Sequence, residues 1–268
     1  MINNQIDLVW HEIYSFFRVF LVLLLISSSV NSQERPLEQE KKAAGMSEIR
    51  VPQPESVVPG VDFCDQSCGA PSDAIILFDG KDLSHWESVN GGKAEWPVHE
   101  GVFTVDKKKG NIRTVKEFRD FQLHIEWQIP EELEGTEQSR GNSGIFLQGM
   151  YEIQVLDGFN NPTYYAGCAG NIYKQSPPLA NVTRKPGKWN VYDIIYTAPT
   201  FKKDGTYRTY PYVTVILNGV IIQNHTRILG ETVNAEIKEH GNGPIILQAH
   251  RDPTATNVSF RNIWIREL

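Results

Sequence analysis

Cysteine and methionine are scarce in this chain, three of each in 268 residues. Beyond Cys64, Cys68 and Cys168, nothing at suitable spacing completes a zinc site. A basic excess is also lacking. Lys and Arg number 26 against 32 Asp and Glu, a formal charge of −6, so no cationic surplus is available for phosphates. That excludes a nucleic-acid binder. The longest apolar run, Val19 to Val30, falls short of the roughly 20 residues that span a bilayer. Internal repeats and long amphipathic helical patterns are missing too. Apolar residues at 40% and charged residues at 22% exclude collagen-like, coiled-coil and wholly disordered chains.

What is present is turn chemistry and aromatic residues. Twenty-one Gly, fifteen Pro and 10% aromatic residues suit many short strands joined by tight turns. Arg18, the short apolar run and the exit Ser27-Ser28-Ser29-Val30-Asn31-Ser32 read as a secretory signal over 1–32. The protein is therefore expected to be secreted or periplasmic, with no transmembrane segment in the mature chain. In that compartment a Cys64–Cys68 disulfide is expected, which leaves Cys168 as a free, semi-buried thiol. Asn181, Asn224 and Asn257 begin glycosylation sequons. Residues 33–72 are rich in Glu, Lys, Pro, Ser and Gly without periodicity and read as a linker. One domain follows over 73–268.

Within that domain, short runs of Val, Ile, Phe, Tyr and Trp recur between Gly, Asn, Asp and Pro clusters. They predict an antiparallel all-β sandwich or barrel. Asn218-Gly219 between two such runs predicts a type I′ hairpin. The period of two sorts side chains by face. Leu123, Ile125, Trp127 and Ile129 share one face, and Gln122, His124, Glu126 and Gln128 the other. Ile153 and Val155 oppose Glu152 and Gln154. Ile245, Leu247 and Ala249 oppose Ile246, Gln248 and His250. Such collections of amides, carboxylates and imidazole are unusual strand formers, and they point to a polar binding face.

Ordered blocks add to this pattern. They are Leu77-Phe-Asp-Gly-Lys-Asp-Leu-Ser-His-Trp86, Arg140-Gly-Asn-Ser-Gly-Ile-Phe-Leu-Gln148, Tyr151-Glu-Ile-Gln-Val-Leu-Asp157 and Gly170-Asn-Ile-Tyr-Lys-Gln-Ser-Pro-Pro178. Further blocks are Lys185-Pro-Gly-Lys-Trp-Asn190, Val215-Ile-Leu-Asn-Gly219, Gly243-Pro-Ile-Ile-Leu-Gln248 and Phe260-Arg-Asn-Ile-Trp-Ile-Arg266. Together they resemble the 3-keto-disaccharide hydrolase family, also described as 3-keto-glucoside 1,2-lyase / 3-keto-2-hydroxy-glucal hydratase. The resemblance implies a concanavalin A-like jelly-roll sandwich with a sugar site on its concave face. It also implies action on glycosides already oxidised at C3, downstream of a glycoside 3-oxidase or dehydrogenase. The C3 ketone acidifies the C2 proton. A base removes that proton, the aglycone leaves from C1, and water adds to the 2-hydroxy-3-ketoglycal. Such a site needs a base, an acid for the leaving group and a donor or cation at the enolate oxygen.

Glu152 is the candidate base, mid-strand on the polar face beside Gln154. His250 is the candidate acid or metal ligand. Arg140 and Asn142 enter a strand, where Arg140 presents a planar donor fork and Gly-Asn-Ser-Gly also suits a turn. Asp157, Lys174, Gln248 and Glu126 complete the candidate substrate-binding set, with Lys174 placed to stabilise an enolate. Trp189 and Tyr173 are candidate stacking platforms. Family members commonly carry an Asp between the Gln and His of the Gln248 block. Here that position is Ala249, a departure expected to reshape the pocket rim. A divalent cation, catalytic on the sugar oxygens or structural Ca²⁺, fits the same chemistry, although no spacing defines its ligands. Two other readings stay open. One is a conventional glycoside hydrolase using Glu126 and Glu152 as its carboxylate pair. The other is a non-catalytic, lectin-like carbohydrate-binding module.

Overall fold

In the computed structural model, residues 69–133, 135–252 and 256–268 are described. The expected signal segment, most of the linker and the Cys64–Cys68 pair lie outside them. Among the described residues, fifteen strands account for nearly all regular structure. No helix among them is long and apolar enough to cross a membrane.

The alternation read from the sequence is the alternation observed. In strand β6 (Phe121–Gln128), Leu123, Ile125 and Trp127 are wholly buried in one apolar core. In strand β8 (Tyr151–Val155), Tyr151, Ile153 and Val155 enter the same core. Burial of each such side chain is worth about 1.5–3 kcal/mol, which fixes the register because a slip of one residue would expose the whole set. The two strands belong to different sheets, so the core lies between two layers. Across it, Tyr192 Oη donates to the Gln154 carbonyl at 2.8 Å and Tyr196 Oη to Gln148 Oε1 at 2.7 Å.

The larger sheet has eight strands, all antiparallel. Its order is β13 (Val220–Arg227), β12 (Tyr212–Leu217), β9 (Trp189–Thr197), β6, β15 (Ser259–Glu267), β4 (Val102–Thr104) and β3 (Val98–His99), with β1 (Ile75–Phe78) also paired to β15. The smaller sheet has five strands, ordered β2 (Trp86–Ser88), β5 (Ile112–Thr114), β14 (Ile246–Leu247), β7 (Ser143–Leu147) and β8. A separate ribbon pairs β10 (Thr200–Phe201) with β11 (Tyr207–Thr209). The architecture is the expected all-β sandwich. The Asn218–Gly219 hairpin also forms, with Leu217 opposite Val220 and φ of 52° and 81° at the two turn residues. Those two left-handed residues are what a type I′ turn requires.

Strand β8 is the edge of the smaller sheet, and an open edge invites mispairing. Here the chain covers it with its own loop. Gly170 N–H donates to the Gln154 carbonyl and Gln154 N–H to the Asn171 carbonyl, while Tyr173 N–H donates to the Glu152 carbonyl. This cover places the 164–176 segment directly beside Glu152.

Candidate functional site

The outward residues of the smaller sheet form ordered rows. Registers place Glu87, Arg113, Ile246, Phe146 and Glu152 side by side across all five strands. The next row brings Gln154 beside Gly144, with Gln248 following through its N–H bond to the Gly144 carbonyl at 3.0 Å. Residues far apart in sequence thus become neighbours on one face.

Gly144 makes the arrangement possible. A Cβ there would lie 2.2 Å from Glu152 Oε1. The missing side chain opens the space in which the carboxyl sits. The sequence suggested turn chemistry for Gly-Asn-Ser-Gly, but Gly144 lies within strand β7 and serves the carboxyl across from it.

Glu152 is 3% exposed. With its nitrogen turned toward the carboxyl, the Gln154 amide donates to Glu152 Oε1 at 3.2 Å and to the Ser143 carbonyl at 3.1 Å. Burial disfavours the carboxylate and outweighs the attraction of Lys174, so the Glu152 pKa rises to about 8. A carboxyl of this kind holds its proton at neutral pH and gives it up just above, the range suited to a general base.

The covering loop supplies groups the sequence did not single out together. Tyr164 and Tyr173 share a hydroxyl–hydroxyl hydrogen bond of 2.7 Å. The Lys174 ammonium lies 5.6 Å from the Tyr173 ring centroid. All three side chains are partly exposed, and both phenols lie within electrostatic reach of Glu152. Tyr173 was expected as a stacking platform, whereas nothing in the sequence marked Tyr164, because the loop has no periodicity. Asn142 also joins the site's floor, donating to the Gln138 carbonyl at 2.8 Å and to Gln138 Oε1 at 3.1 Å. Gln248 Oε1 is buried and has no hydrogen-bond partner among the described residues.

Other candidates lie at the ends of the same strands. Arg140 and Asp157 pair with each other at 2.5 Å, just outside the paired ends of β7 and β8, with Asp157 N–H bonded to the Arg140 carbonyl at 3.0 Å. Their charges close the hairpin end. Burial pushes the Asp157 pKa up against the opposing pull of the Phe159 N–H and Arg140. His250 lies three residues beyond β14 and accepts from the Asp252 N–H at 3.3 Å. Burial lowers its pKa, with Asp252 and Lys107 also in electrostatic reach. Ala249 faces the core on the opposite side from Gln248 and His250, so the departure from Asp at this position takes no side chain off the site face. Cys168 is the expected free, buried thiol, pushed up to about 12 by burial.

Glu126 corrects the two-carboxylate expectation. It lies on the outer face of the larger sheet, whereas Glu152 lies on the outer face of the smaller one. The core between the layers separates them, so they cannot flank one glycosidic bond. Glu126 instead accepts from Arg261 Nε at 2.6 Å and Asn262 Nδ2 at 2.8 Å. Beside it, His124 bonds Asp193 at 2.7 Å and stacks on Trp264 with centroids 5.0 Å apart. Burial opposes protonation of His124, but Asp193 and Glu126 overcome it and raise the pKa to about 9. Burial likewise opposes ionisation of Glu126, and hydrogen bonds from His124, Asn262 and Arg261 hold its pKa low. Trp189 is on this sheet too, with the Arg261 guanidinium 4.1 Å from its ring centroid. Among the described residues, no three His, Cys, Asp or Glu side chains gather as a metal-binding group.

One sheet face thus carries a buried carboxyl and amides, with phenols and an ammonium on the loop beside it, and comparison with known proteins supports a carbohydrate-active function. The chain belongs to the 3-keto-alpha-glucoside-1,2-lyase-like domain family, which it matches over residues 73–266. A Parabacteroides distasonis ATCC 8503 crystal structure described as a "putative glycosyl hydrolase" is 67% identical, with a TM-score of 0.75, covering 83% of this chain and 95% of that one. A second protein of the same description and organism is 24% identical, with a TM-score of 0.52, over 73% of this chain and 94% of its own. No curated protein matches.

Proposed function

We propose that the protein cleaves 3-keto-glycosides by elimination and hydration, with Glu152 as the base. The observation that carries this reading is the buried carboxyl of Glu152. It is set over Gly144, raised to about 8, and has the Lys174 ammonium in electrostatic reach. An unoxidised glycoside has no acidic C2 proton for such a base. A C3 ketone creates one.

In this scheme Glu152 takes the C2 proton and the electron pair moves toward the C3 oxygen. Lys174 stabilises the enolate charge in a site where burial strengthens the attraction. The enolate then collapses, the C1–O bond breaks, and the aglycone departs with that electron pair. Water adds across the resulting C1–C2 double bond, and the protonated Glu152 returns its proton to C2. Gln154 and Asn142 hold the floor of the site, and the free Gln248 oxygen accepts from a sugar hydroxyl. The ketone must be made beforehand by a glycoside 3-oxidase or dehydrogenase. The N-terminal pattern fits work in a secreted or periplasmic setting.

The test is turnover of a 3-keto-glucoside beside its unoxidised parent, with and without a chelator. Release of 3-keto-glucose from the ketone alone is expected. Cleavage of the parent sugar would overturn the scheme. Binding without cleavage of either would establish the lectin-like reading instead.

A further inference from the structure

Elimination from C1 needs a third group, an acid for the departing oxygen. Glu152 cannot serve, since it has just taken the C2 proton. Lys174 is engaged with the enolate. His250, beyond the end of β14, accepts from the Asp252 N–H at Nδ1, and burial lowers its pKa. The phenol pair of Tyr164 and Tyr173 remains, on the loop that covers the edge of β8.

Several features say that the pair is built rather than incidental. The two hydroxyls are joined by a hydrogen bond of ordinary length, 2.7 Å. The Tyr164 ring occupies space that only a glycine leaves open, because a Cβ on Gly167 would lie 2.4 Å from the ring. Tyr173 is tied to the base by its own backbone, with its N–H donating to the Glu152 carbonyl at 3.1 Å. Lys174, the next residue, is held at φ 60°, an uncommon conformation for a non-glycine residue, with its N–H on the Ala166 carbonyl. That strain turns the chain so that phenol and ammonium stay near one carboxyl.

Resting on the elimination reading, we propose that Tyr173 is the acid that protonates the departing glycosidic oxygen, with Tyr164 as its positioning partner. The Tyr173 O–H bond breaks and its proton goes to the aglycone oxygen, which carries the electron pair of the broken C1–O bond. Tyr164 donates its own O–H to the phenolate left behind, and Lys174 adds positive charge above the ring. In hydration the same phenolate takes a proton from the attacking water as its oxygen bonds C1. Glu152 returns its proton to C2, so both groups end the cycle as they began. One further consequence follows. The chain should discriminate among substrates by leaving group, with poor leaving groups depending on Tyr173 and good ones indifferent to it.

The experiment compares methyl and 4-nitrophenyl 3-keto-glucosides on the full chain, wild type, Tyr173→Phe, Tyr164→Phe and Glu152→Gln, in deuterated water. General acids contribute about 100-fold or more. Tyr173→Phe is expected to lose about that much methanol release, while still exchanging the C2 proton for deuterium. Its nitrophenol release in the first turnover, before hydration, should stay within about threefold of wild type, because nitrophenolate leaves without a proton. Tyr164→Phe should show the same dependence at about tenfold. Methanol release unchanged in Tyr173→Phe would overturn the assignment. So would a fall in first-turnover nitrophenol release as deep as that in methanol release, the mark of a merely structural role. Glu152→Gln reports separately on the base. Its C2 exchange should vanish, and exchange that persisted would refute the base while the leaving-group comparison in Tyr173→Phe still stood on its own.

Discussion

Replacing Glu152 by Gln should make the protein more stable at alkaline pH. The carboxyl is 3% exposed, and its pKa rises from an ordinary 4.5 to about 8. Between those values the unfolded chain has released the proton and the folded chain still holds it. Stability then falls as pH rises, by about 1.4 kcal/mol per pH unit, until both states are ionised. A folded value of about 8 makes the full penalty about 5 kcal/mol above pH 8, of which about 4 kcal/mol accrues between pH 5 and pH 9. Gln keeps the shape and never ionises. The difference in unfolding free energy between variant and wild type should therefore widen in favour of the variant over that window. Urea unfolding followed by tryptophan fluorescence, at several pH values on both proteins, measures it. The other titrating groups are common to both and cancel. Parallel curves, differing by a constant within about 0.5 kcal/mol from pH 5 to pH 9, would show that the carboxyl is ionised in the fold at neutral pH. They would remove the raised basicity that tunes it to take a C2 proton. Catalysis and stability should move oppositely in this one variant, as expected where function requires a buried charge.

Two further outcomes test the geometry. Gly144→Ala should push the Glu152 carboxyl out of its space, since the added Cβ would lie 2.2 Å from Oε1. The expected cost is about 1–3 kcal/mol of stability by thermal unfolding and about 100-fold in turnover; a variant with wild-type turnover would show that the carboxyl does not act from that position. On the opposite sheet, the His124 imidazole should titrate near pH 9 by ring-proton NMR. Its pKa is raised, so its stabilising contribution is complete below about 6.5 and is lost as pH rises toward 9. A midpoint near 6.5 would refute the Asp193–His124–Glu126 pairing.

Local chemistry alone determined a good deal of this protein. The period of two in Phe121–Gln128 and Tyr151–Val155 placed Glu152 and Gln154 on one face because a strand alternates regardless of its partner. Asn218-Gly219 made its hairpin because both residues tolerate left-handed backbone. The strands at Trp86–Ser88, Ile112–Thr114 and Thr200–Phe201 were not legible, since runs of two or three residues carry no period and exist only through pairing with distant chain. The segment at Ile245–His250 alternates in burial but is strand only over Ile246–Leu247, because ladder bonds depend on neighbours and not on pattern. Tertiary structure also decided which polar face mattered. Glu126 and Glu152 look alike in sequence, each mid-strand among apolar neighbours. Glu126 meets Arg261, Asn262 and His124, which hold it ionised against its burial, while burial of Glu152 outweighs the pull of Lys174 and holds it protonated. A pKa is set by what surrounds a group in space. For Glu152, those surroundings come from Gly144 across the sheet and from Tyr164, Tyr173 and Lys174 on a loop whose sequence has no period to read.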